Sequence, residues 1–119
     1  MEFLEPWSEV SGPGLVDELR REMASGHVLE NLDLAALARR QDCDDVLYAL
    51  NDGSGRLAVV HLTYRSTRET NPSFPSTTMI KELNLWSAYM QALHAAWMAE
   101  DLDSPLWLKE RELWDFARE

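Results

Sequence analysis

One cysteine, Cys43, stands among 119 residues, so no disulfide can close within the chain, and a reducing compartment suits it. No stretch approaches the roughly 18 apolar residues of a membrane span. The start, Met1-Glu2-Phe3-Leu4-Glu5, lacks the basic, then apolar pattern of a secretion signal, and the cytoplasm is the expected location. No glycine-rich loop opens a helical pattern, which leaves nucleotide binding without support. His27, His61 and His94 fall at no zinc-ligand spacing, and no metal or other cofactor is expected. Positive charge is scarce as well. With 11 basic against 21 acidic side chains the formal net charge is −10. That excess repels phosphate backbones and anionic lipid, so neither nucleic acid nor membrane is an expected partner. The chain also lacks internal repeats and low-complexity tracts.

What is present fits one small α+β domain. The hydrophobic fraction is 45% and there are five tryptophans, whose large indoles should dominate the core or an interface. Residues 1–12 scatter Phe3, Leu4 and Trp7 among glutamates and run into the breaker cluster Ser11-Gly12-Pro13-Gly14. They read as an N-terminal tail ahead of a domain over 13–119. Leu15, Leu19 and Met23 recur every fourth residue and predict a first helix over Leu15–Ala24, closed by Ser25-Gly26. Three strands are predicted next, at Leu34–Arg40, Asp44–Leu50 and Arg56–Arg65. The turn cluster Asn51-Asp52-Gly53-Ser54-Gly55 joins the last two. The third is apolar on both parities, as expected of a central strand covered on both faces.

A polar segment with two prolines, 66–78, reads as a long loop. Leu83, Trp86, Met90, Leu93 and Trp97 then form a heptad-like seam on a predicted helix over Met79–Glu100. Ser104-Pro105 opens a final, add-on helix over 103–119. The expected architecture is a three-stranded antiparallel meander packed against the long helix, in the order α-β-β-β-α-α.

Asp-Asp-Val-Leu-Tyr from Asp44, the Asp52-Gly53 turn, Ala-Val-Val-His-Leu-Thr-Tyr from Ala58 and the later Phe-Pro-Ser-Thr step resemble a group of small bacterial proteins with no established activity. The resemblance covers about a third of the chain. It implies a bacterial source and a free-standing small domain, and it carries over no catalytic residue.

Several residues invite functional readings. His61, mid-strand beside a polar loop, suits a general base or a ligand, or else a neutral imidazole bonded to a neighbour. Arg65 and Arg68 among hydroxyls suit a phosphate or carboxylate, or else a solvated turn. Together with Tyr64 they define a candidate anion site, provided the loop folds back toward the imidazole. Asp42, Asp44 and Asp45 match no calcium loop, and aspartates in turns usually bond their own backbone. Cys43 among them is disfavoured as a nucleophile, because negative neighbours suppress the thiolate. His27 and His94 are assigned to loop and helix surface. Trp107 and Trp114 on the add-on helix are either core or anchors for a partner. Two functions follow. One is an acidic cytoplasmic protein-interaction module, in the style of bacterial immunity proteins or inhibitors, binding a protein partner or a second copy of itself. The other is a small-molecule anion-binding domain or minor enzyme built on His61 and the Arg65–Arg68 loop.

Overall fold

The computed structural model describes residues 2–64, 70–71 and 75–99. Its elements run β1 (Trp7–Glu9), α1 (Gly14–Glu22), β2 (Leu34–Arg40), β3 (Asp45–Leu50), β4 (Leu57–His61), β5 (Thr77–Ile80) and α2 (Leu83–Ala99). The class is α+β, as the sequence pattern implied. All five strands form one antiparallel sheet in the order β1-β2-β3-β4-β5, so each strand pairs with its sequence neighbours.

Two clusters divide the core between the two faces of this sheet. Leu57 and Val59 of β4, Leu47 of β3 and Ile80 of β5 bury themselves with Trp86, Tyr89, Met90 and Leu93 of α2. The opposite parity, with Ala58, Val60, Val46, Tyr48 and Leu50, packs with Leu19 and Met23 of α1 and its following loop. Alternating side chains point to opposite faces of a strand, so a run apolar on both parities needs a cover on each side. α1 and α2 supply the two covers. Within β2 the alternation changes sides: Ala36 opposes Tyr48 but Ala38 opposes Leu47, leaving Leu37 as an extra residue at a bulge. Leu34 and Ala36 therefore join the α1 side, whereas Leu37 and Ala38 join the α2 side.

The three-stranded meander and the order α-β-β-β-α-α are overturned. Residues expected as a tail contain β1, which pairs Trp7 with Arg40 and buries the Trp7 ring. That ring meets the Trp86 ring edge-on at 4.9 Å and 83°, and Phe3 approaches the same indole at 6.4 Å. A three-residue strand carries too little periodicity to be read in advance. What fixes it is burial of an indole against α2. β5 takes the last two residues of the expected loop 66–78 and displaces the expected helix start at Met79; its Thr-Thr-Met-Ile run lay hidden behind prolines. α2 accordingly begins at Leu83, which is 49% exposed although it opened the expected seam. Trp86, Met90 and Leu93 of that seam are buried. The final helix predicted over 103–119 falls outside the described residues.

Candidate functional site

His61 ends β4 opposite Asp45 at the start of β3, and its Nδ1 lies 2.8 Å from Asp45 Oδ1. The aspartate accepts the Nδ1 proton, so in the neutral ring the Nε2 lone pair is the free one. Nε2 has no partner among the described residues, and the imidazole is 55% exposed. An imidazole so oriented by a carboxylate can accept a proton from a group brought to it. The nearest thiol does not qualify as that group. Burial first, then the charge of Asp45, pushes the Cys43 thiol up to about 12, far from thiolate at neutral pH. The other aspartates of this turn are structural. Asp42 takes both Arg40 Nε and a terminal nitrogen, at 2.7 and 2.9 Å, and the Asp44 carbonyl accepts the Leu62 amide. Among the described residues no cluster of His, Cys, Asp or Glu could hold a metal ion.

Tyr64 goes elsewhere. With φ at 54° it turns away from the line of β4, and its amide donates to Glu22 Oε2 of α1 at 2.9 Å. Thr63 donates both amide and hydroxyl to Glu22 Oε1, at 2.8 and 2.9 Å. His61 thus pairs on the side covered by α2, whereas Tyr64 is tied to α1. Arg65, Arg68, Trp107 and Trp114 lie outside the described residues.

Sequence reasoning missed the carboxyl pair of α1. Glu18 and Glu22, one turn apart, are both buried against the core. Glu18 accepts from Arg21, while its Oε2 has no donor from any other described group. The neighbouring Glu22 carboxyl, then burial, raises its carboxyl above the usual range. For Glu22 burial alone acts upward, but the bonds from Glu18, Thr63 and Tyr64 outweigh it and hold its carboxyl low. No local pattern announces such a pair, because its donors come from 41 and 42 residues away. The Asp45–His61 pair was readable: a turn over 51–55 sets Leu50 against Arg56, and the ladder then aligns Asp45 with His61.

His27 corrects a second reading. It is 4% exposed, accepts the Leu29 amide at Nδ1 and donates from Nε2 to the Pro75 carbonyl at 2.9 Å, clamping the approach to β5. His94 is half-buried and bonds the Glu5 carbonyl at 2.8 Å, fastening the N-terminal segment to α2.

The outward side of α2 is the other candidate. Across its 17 residues this helix carries no Asp, Glu, Lys or Arg, in a chain with 27% charged residues. Asn84, Gln91 and Met98, seven residues apart, form one line along the exposed side, flanked by Ala88 and Ala95. Beside the first half of the line a cleft of about 500 Å3 opens between the N-terminal segment and α2, with Leu4, Leu83, Trp86 and Met90 as its apolar lining. Asn84, Ser87 and Gln91 border both the cleft and the exposed line.

No family model matches the chain, and neither the curated proteins nor the solved structures contain a match.

Proposed function

We propose that the chain is a protein-interaction module, inhibitor-like in style, that meets its partner through the uncharged side of α2. The observation that carries this reading is the missing charge. A solvated helix face normally carries Lys, Glu and Arg, and a face that is uncharged all round is built to be covered. The cleft beside it is a receptacle for an apolar side chain, and anchors seated in such pockets dominate binding energy. The acidic body around it, at net −10, selects against nucleic acid and leaves this uncharged face as the surface where contact meets least repulsion.

A second reading rests on the exposed imidazole of His61. Held by Asp45, it suits proton transfer on a small molecule, with Arg65 and Arg68 as candidate anion contacts.

One comparison separates the two. The chain is crosslinked in its host and purified as wild type, Gln91→Glu and His61→Ala. Under the interaction reading, wild type and His61→Ala retain a stoichiometric protein partner, a second copy included, and Gln91→Glu loses it. Wild type recovered alone overturns the interaction reading. Inorganic phosphate or acetate that binds wild type and not His61→Ala in calorimetry, with no protein retained, establishes the second.

A further inference from the structure

We propose, resting on that reading, that the partner is a second copy of this chain, paired antiparallel along α2 about a two-fold axis at Gln91. Three observations commit the face to this occupant.

The first is charge. Each copy carries a net charge of −10, so most pairings of two copies set carboxylates against carboxylates. The side of α2 is free of formal charge over its whole length and lets two copies meet without that cost. A basic partner, by contrast, would find among the described residues of the helix no acid to recognise, and only Glu2 at the rim of the cleft.

The second is self-complementarity. A two-fold interface requires one patch to fit itself, residue i meeting j and j meeting i. Asn84, Gln91 and Met98 lie on one line with Gln91 at its midpoint. Antiparallel pairing about Gln91 sets the two Gln91 amides together, where each can donate to the other's carbonyl. The alanines at 88 and 95 let the helix backbones approach closely.

The third is the fit of knob to hole. Met98 is the most exposed large hydrophobic side chain among the described residues, at 63%. The cleft opens beside Asn84, at the other end of the same line. The two-fold brings Met98 of each copy over Asn84 of the other. There its flexible thioether can enter the Leu4–Leu83–Trp86–Met90 cleft and cover the half-exposed Leu83. Both knobs and both holes are filled at once. A helix of 17 residues is about 26 Å long, and the pairing adds only the cleft contacts to it. That is a modest interface, so the dimer forms in the micromolar range rather than permanently.

Sedimentation equilibrium of the purified full-length chain tests this. Wild type is expected to run as a concentration-dependent monomer–dimer system. Met98→Glu is expected to weaken the dimer at least ~10-fold, and Gln91→Glu, which sets two like charges on the axis, to abolish it, both with an unchanged far-ultraviolet circular dichroism spectrum. In a Cys43→Ser background, Gln91→Cys should oxidise to a disulfide between copies, whereas Asp52→Cys, in the β3–β4 turn, should not. A monomer at every concentration overturns the proposal. If Met98 in that monomer resists peroxide, the chain's own residues 100–119 cover the face instead. If Gln91→Glu still loses a different crosslinked protein, the interaction reading stands and only the dimer falls. A dimer in which Gln91→Cys forms no disulfide also overturns it, by assigning association to another surface.

Discussion

At the scale of single residues, Glu22 holds α1 to the segment after β4 through Thr63 and Tyr64, and Glu18 lies buried one turn before it. Their stability contributions have opposite signs in pH. Glu22 is held low, so its contribution is present above the ordinary value of 4.5 and is lost as pH falls through its folded value. Glu18 is held high, so its contribution is present below 4.5 and is lost as pH rises through its folded value. Together they stabilise most in the window between the two. The melting temperature should therefore decline as pH rises through the Glu18 transition. Glu18→Gln, which does not titrate, should remove that decline. Glu22→Ala leaves the Thr63 and Tyr64 amides without their acceptor and should cost about 3 kcal/mol in a denaturant melt at neutral pH. The Cys43 thiol offers a simpler check. Iodoacetamide labelling of the folded chain at pH 8 should be far slower than that of the unfolded chain, because the thiol is pushed up to about 12.

At the scale of elements, β1 depends on one side chain. Trp7 is 1% exposed, and its ring is the link between the N-terminal segment and α2. Trp7→Ala should cost about 3–5 kcal/mol and shift the urea midpoint accordingly. An unchanged midpoint would mean that residues 1–12 behave as the tail their scattered apolar groups suggest. The legible elements were those with a long period or a clean turn. α1, β2, the β3–β4 hairpin and most of α2 appear within a few residues of their expected limits, because each repeats its apolar spacing several times. The two edge strands were illegible, since three or four residues repeat nothing and tertiary burial decides them. The same difference governs the site. The partner of His61, not named in advance, was open to reading from hairpin register, whereas Glu22 and His27 are bound by groups distant in sequence, which no local pattern encodes.

At the scale of the whole molecule, the sheet has a consequence for how the chain assembles. Strands lie side by side in the order in which they occur along the chain. Every pairing therefore closes a comparatively short stretch of chain, and the entropy of closure grows only slowly with that length. No strand has to be threaded between two that are already joined. The Asp45–His61 hairpin, closed by its five-residue turn, is the cheapest contact to make. β2 can add to one side of it and β5 to the other, and β1 completes the edge once α2 is present to receive Trp7. Topologies rich in such near-neighbour contacts fold quickly and expose few unpaired strands on the way. The simplest feature of the fold, strand order equal to chain order, thus lets the domain grow outward from its middle.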